Sequence, residues 1–243
     1  MPKQPHRLPQ KKLKKSRIAA PSACHGEAQR ERGRAISKRL EAHYGDPRPA
    51  LTYRNPFELL IAVILSAQTT DEGVNRVTPI LFKHFGTAEA LAAADPETIE
   101  EIIRPTGFFR QKTKSVIATS QALVAEHSGK VPETMDELVA LRGVARKTAN
   151  IVLGTCFGIV EGIAVDTHVF RLAHRLGLSE AADANRVEGD LCACLERDRW
   201  YRVNFDLITH GRRVCTAKKP VCGTCFLNDL CPAAFTTTGW RAE

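Results

Sequence analysis

At 243 residues the chain is long enough to bury one large core or two small ones, and 35 Lys and Arg against 27 Asp and Glu leave a formal net charge of +8. That balance suits a polyanionic partner, nucleic acid first, although much of the excess sits at the N-terminus. No apolar run approaches the roughly 20 residues of a membrane span, no signal-type apolar segment follows the first lysines, and eight cysteines in such a chain point to metal ligation or buried thiols instead of disulfides.

Residues 1 to 28 carry a KKLKK run, several prolines and almost no periodic apolar pattern, and read as a disordered basic tail with a weak, salt-sensitive attraction to DNA. Cys24 and His25 have no sequence neighbours with which to share a metal. From Gln29 to Tyr44 the spacing of Ile36 and Leu40 predicts an amphipathic helix stopped at Gly45, and Gly45-Asp46-Pro47-Arg48-Pro49 marks a boundary. Asn55-Pro56-Phe57-Glu58 combines an N-cap, a first-position proline and a glutamate three residues after the cap. The following run, Leu59 to Leu65, is apolar on every side and predicts a central buried helix that delivers Ser66-Ala67-Gln68-Thr69-Thr70-Asp71 to its C-terminal end. Gln68, an amide that both donates and accepts, suits a base edge or a plain helix-end cap.

A helix from about Asp71 to Phe85 places Val74, Val77, Ile80 and Leu81 on one face, with Pro79 expected to kink or shorten it. Thr87 and Asp95-Pro96 open two more helices by their capping chemistry. Thr106-Gly107-Phe108-Phe109-Arg110 then leads into another, with two phenyl rings fit either for core packing or for stacking. Thr134-Met135-Asp136-Glu137 is a capping box ahead of the turn Leu141-Arg142-Gly143-Val144-Ala145. The next helix begins at Arg146 and Lys147, where unpaired N–H groups and the positive end of the dipole favour a phosphate. The same dipole disfavours an ammonium at Lys147 and favours the neutral amine that a nucleophile needs.

Asp166 follows the apolar Ile163-Ala164-Val165 and opens THVFRLAHRLGL, where it can cap backbone amides and stay ionised. His168 and Arg171 lie on that helix, with Arg171 able to pair with Asp166 or to be solvated. Cys156 reads as a small core residue, and Cys192 and Cys194, two apart on a helix, face different directions. Cys215, Cys222, Cys225 and Cys231 form C-x6-C-x2-C-x5-C within 17 residues. Four such thiolates hold tetrahedral zinc or an iron–sulfur cluster, and spacing physics does not choose. The loop they close offers Lys218 and Lys219 to phosphates.

LLIAVILSAQTTD, the LRGVA turn with its following lysine and aspartate, and the cysteine spacing together resemble the endonuclease III family of DNA glycosylases, over about Gln29 to Pro232. The resemblance implies an all-α fold of two domains. A six-helix domain carrying the helix-hairpin-helix, about residues 49–160, would be inserted into a 4Fe–4S cluster domain made of residues 29–48 and 161–243. It implies Lys147 as a Schiff-base nucleophile and Asp166 as the catalytic aspartate, with His168 and Arg171 in support. Gln68 and Phe108 would enter the duplex beside a flipped nucleotide, and Gly143, Ala145, Arg146, Lys218 and Lys219 would contact DNA. Cys215, Cys222, Cys225 and Cys231 would hold the cluster.

Two departures stand out. The family hairpin reads LPGVG, so Ala145 replaces a glycine and requires a negative φ. An aliphatic residue followed by tyrosine usually stands where this chain has Phe108 and Phe109, which bears on lesion preference. The implied activity is base excision repair on double-stranded DNA with damaged bases or abasic sites: excision of oxidised pyrimidines and strand cleavage by β-elimination, carried out by a cytoplasmic, nucleoid-associated monomer of bacterial type. Alternatives are an adenine-mismatch or other monofunctional glycosylase, a non-catalytic DNA-binding module, or a zinc-stapled protein.

Overall fold

The computed structural model describes residues 17–21, 26–45 and 48–241. The KKLKK run, Cys24, His25 and the Asp46-Pro47 break lie outside the described residues. Among the described residues the chain forms eleven α-helices and no strand, with a single isolated bridge between Val221 and Arg241. They are α1 Glu27–Tyr44, α2 Pro56–Leu65, α3 Asp71–His84, α4 Ala88–Ala92, α5 Pro96–Ile103, α6 Phe109–His127, α7 Met135–Ala140, α8 Arg146–Val152, α9 Thr167–Arg175, α10 Ala184–Cys194 and α11 Trp200–Arg213.

The caps predicted from short-range chemistry are made. Asn55 accepts from the Glu58 N–H, Thr87 from Ala90, Asp95 from Thr98 and Thr134 from Glu137. Each satisfies an N–H that the first helical turn leaves without a partner. Glu58, only 2% exposed, also accepts from Arg54 at both backbone and side chain, so its charge is compensated where it is buried. At the other end of α1, Gly45 takes φ 71°, a left-handed stop.

Three expectations are corrected. Glu27 and Ala28, expected in the tail, begin α1, and Ile18 and Ala19 are half-buried, with the Ala19 carbonyl against Gly189 of α10. α3 is not shortened at Pro79 but continues to His84, with Pro79 on the exposed side, away from buried Val74, Val77 and Leu81. Ile80 is 52% exposed, since a helical step of three residues carries it past the edge of that buried stripe.

The apolar side chains form two cores. One gathers α2 through α8 around Leu59, Leu60, Ile61, Leu65, Leu81 and Leu138. The other joins α1 to α9, α10 and α11 through Ile36, Leu40, Leu172, Leu191 and Leu207, and reaches Leu227 among the C-terminal cysteines. Arg39 ties α1 to that region, donating to the Phe226 carbonyl at 2.9 Å and to Asp229 at 2.8 Å. The α1–α10 contact depends on Gly33, where a Cβ would lie 2.7 Å from the Cys194 carbonyl oxygen. Gly33→Ala is therefore expected to destabilise by about 1–3 kcal/mol through overpacking against backbone, read as a lower thermal midpoint.

Candidate active site

A groove of about 1500 Å³ is lined from both cores and includes Gln68, Thr69, Asp71, Lys147, Asp166 and His168. It exceeds the roughly 300–1,000 Å³ of a small-ligand pocket and suits a polymer segment.

Lys147 reaches the groove because of the turn before it. Leu141 and Val144 are buried in the first core, and Gly143 between them adopts φ 81°. A Cβ there would also lie 3.0 Å from the Ser115 Cβ, so glycine is needed on two counts. Thr119 of α6 fixes the turn by donating to the Arg142 carbonyl at 2.6 Å. Ala145 adopts φ −93°, the negative value that alanine requires, and caps α8 without a side-chain bond, so the first-turn N–H groups are not taken by a capping side chain. Lys147 is exposed and makes no hydrogen bond or ion pair among the described residues.

Arg146 corrects the sequence reading. It is 7% exposed and its Nε donates to both Glu188 carboxylate oxygens at 3.0 and 2.8 Å, while Nη2 donates to the Glu161 carbonyl at 2.9 Å. Asn150 donates to the same carboxylate at 3.0 Å. The guanidinium is turned into the protein and is not available to a phosphate; only the Arg146 backbone N–H remains at the helix start.

Asp166 is held by α9, with Oδ1 accepting from the His168 and Val169 N–H groups, each at 2.8 Å. Its approach is rigid because Ile163 and Val165 are buried in the second core. Oδ2 has no hydrogen-bond partner among the described residues. Burial lowers the His168 pKa, outweighing the opposite pull of Asp166, so the ring is neutral near pH 7. Arg171 is half-buried and makes no ion pair with Asp166. It donates to the Gly211 and Cys215 carbonyls at 2.9 and 3.0 Å, tying α9 to α11, where Gly211 leaves room for both Arg171 and His168. The sequence reading missed the Arg212–Asp71 ion pair at 2.8 Å, which joins α11 to the start of α3. A separation of 141 residues leaves no local signal for it.

The two residues expected to enter DNA are both left-handed: Gln68 at φ 55° and Phe108 at φ 46°. That conformation costs about 1–2 kcal/mol per non-glycine residue. Phe108 is 67% exposed. Phe109 instead packs on the first core, flanked by Arg104 and Arg110 at 5.5 and 5.6 Å, so the two rings divide the roles left open in the sequence.

Lys112, not singled out from the sequence, is 4% exposed and donates to Thr69 Oγ1 at 2.6 Å and the Thr106 carbonyl at 2.8 Å. Burial lowers its pKa to about 8. Between about pH 8 and the ordinary lysine value of 10.5 the unfolded chain holds a proton that the folded one has lost, so this group's contribution to stability rises with pH across that window. The stability difference between Lys112→Met and the parent is expected to shrink from pH 8 to 10, measured as paired thermal midpoints.

The four C-terminal cysteines surround one cavity together with Leu172, Arg175, His210 and Leu227. Arg175 donates to the Cys215 sulfur at 3.2 Å, and His210 Nε2 lies 3.5 Å from that of Cys225. Burial pushes the Cys225 thiol up to about 11 and raises that of Cys231, so bound cationic iron is what would hold them as thiolates. Lys218 and Lys219 are exposed on the loop between Cys215 and Cys222. Cys156 packs against the first core, Cys194 is buried in the second, and Cys192 is half-buried beside it.

Comparison with known proteins places this geometry. The family model of the HhH-GPD superfamily of base excision DNA repair proteins matches residues 61–195, and that of the iron-sulfur binding domain of endonuclease III matches residues 215–231. The chain is 48% identical over 207 residues to Endonuclease III of Synechocystis sp., covering 85% of this chain and 94% of that one. It is 40% identical over 196 residues to Endonuclease III of Escherichia coli strain K12, covering 81% and 92%. The structure of a trapped Endonuclease III–DNA covalent intermediate superposes with TM-score 0.81 at 38% identity, over 85% of this chain and 97% of that one. A thermostable thymine-DNA glycosylase at 19% identity and TM-score 0.77 shares the fold. With two family models in register and these relatives matched over nearly their whole length, the chain belongs to the endonuclease III family of the HhH-GPD superfamily.

Proposed function

We propose that the protein is a bifunctional DNA glycosylase and AP lyase of base excision repair, acting on duplex DNA that carries oxidised pyrimidines or abasic sites. One observation carries the reading: an exposed, unpaired Lys147 at an uncapped helix start and an Asp166 with one uncommitted carboxylate oxygen line the same groove. The groove lies where the two cores meet, which supports the six-helix domain and the cluster domain as its two walls. Extrusion of the damaged nucleotide costs a few kcal/mol, least for a poorly stacked base. The Lys147 Nζ lone pair attacks C1′, the bond from C1′ to the base breaks, and ring opening gives a Schiff base. Asp166 stabilises positive charge at the sugar. Loss of a C2′ proton then expels the 3′ phosphate.

Cys215, Cys222, Cys225 and Cys231 would hold a 4Fe–4S cluster. Its contribution is to staple a C-terminal segment whose own apolar core is small. Exposed Lys218 and Lys219 and the α8 backbone amides supply phosphate contacts along the strand. We read the protein as a monomer working on chromosomal DNA in a bacterial-type cytoplasm.

Incubation with a duplex bearing one oxidised pyrimidine tests the proposal. Base release with a 3′ unsaturated aldehyde end is expected; a duplex that is bound but left intact contradicts it. Phe108→Ala should slow excision about 10- to 100-fold, the size of one lost stacking contact, while leaving the thermal midpoint unchanged because the ring is 67% exposed.

A further inference from the structure

We infer that Lys112 is a positioning residue that locks the Gln68 and Phe108 loops to one another in the arrangement that lets both side chains enter a duplex; this deepens the function proposed above and rests on its duplex-entry step. The two loops are far apart in sequence, and each carries a left-handed, non-glycine residue at its tip. Their anchors meet on one ammonium. Thr69, next to Gln68, presents its hydroxyl to Lys112 Nζ at 2.6 Å, and Thr106, two residues before Phe108, presents its carbonyl at 2.8 Å. The Thr69 hydroxyl in turn donates to the Thr106 carbonyl, closing a three-membered network. The Lys112 backbone N–H also donates to the Phe108 carbonyl at 3.1 Å, so one residue grips the Phe108 loop twice. Thr106 is itself fixed, its hydroxyl donating to Ile103 at 2.8 Å.

Stability does not account for the choice of lysine. An ammonium 4% exposed with two neutral acceptors is a costly way to fill a site that methionine would fill without desolvating a charge. What methionine cannot do is bond to both loops at once. A rigid bridge makes two separate insertions a single pre-organised element, so less conformational freedom is lost when the duplex is entered.

The test uses a duplex with 2-aminopurine opposite a tetrahydrofuran abasic analogue, which cannot react, so loop entry is read apart from chemistry. With the parent protein, 2-aminopurine fluorescence should rise several-fold at saturation as inserted side chains unstack the base opposite. Lys112→Met should keep or raise the thermal midpoint and weaken binding by no more than about tenfold, yet lose at least about half of that rise. Thr69→Val, which removes one acceptor from a half-exposed side chain, should lose part of it and serves as the deciding variant if Lys112→Met folds poorly. A full rise in the variants, or none with the parent, overturns the inference. The oxidised-pyrimidine nicking assay reports separately: a parent protein that gives the rise but does not nick removes the enzymatic proposal and leaves the bridge standing.

Discussion

Lys147→Gln is expected to abolish strand cleavage, lowering the single-turnover rate on a duplex with one oxidised pyrimidine by about ten-thousand-fold, equivalent to about 5 kcal/mol of barrier. The fold should not register the change. Lys147 is exposed, on the first turn of α8, with no hydrogen bond or ion pair among the described residues, and the buried face of that turn is carried by Arg146, Thr148 and Ala149. Duplex affinity should move little, since one of many cationic contacts is lost and the α8 amides remain. Circular dichroism, affinity and rate measured on one preparation check all three statements.

The second large effect is on stability. Glu188→Ala should lower it by about 3–5 kcal/mol, because the Arg146 guanidinium would be left buried without its counter-charge. Burial raises the Glu188 pKa despite the Arg146 and Asn150 bonds that oppose the rise, so desolvation already weighs on this site. The site is also built around that carboxylate: a Cβ on Gly162 would sit 1.9 Å from Glu188 Oε1. Since the pair ties α8, which carries Lys147, to α10 and to the segment running into Asp166, loosening it should slow excision as well. Replacing both partners by apolar residues of similar volume should recover much of the thermal midpoint and little of the activity, which separates fold from alignment.

Much of this architecture is legible in the sequence where its cause is local. Asn55, Thr87, Asp95, Thr134 and Asp166 are caps because each bonds an amide two or three residues ahead, and that chemistry is written within four letters. The buried run of α2 is equally plain from its all-round apolarity. The groove residues were named through resemblance, and the structure brings Gln68, Lys147, Asp166 and His168 into one groove. Contacts that depend on partners distant in sequence were not legible. Arg146 looked like a phosphate ligand until its partner, Glu188, was seen 42 residues away, and nothing near Lys112 in the sequence singles it out, because its partner Thr69 lies 43 residues away. The Phe108-Phe109 pair could not be divided from composition, because which ring is buried follows from the left-handed backbone at Phe108.

The most direct measurement is borohydride reduction of the protein on a duplex carrying one oxidised pyrimidine, followed by proteolysis and mass mapping of the linked peptide. A single adduct on Lys147, absent without borohydride and absent from Lys147→Gln, is the predicted result. No adduct on a duplex that the protein binds, or an adduct on another amine, would contradict the Schiff-base mechanism and leave a monofunctional glycosylase or a DNA-binding module in its place.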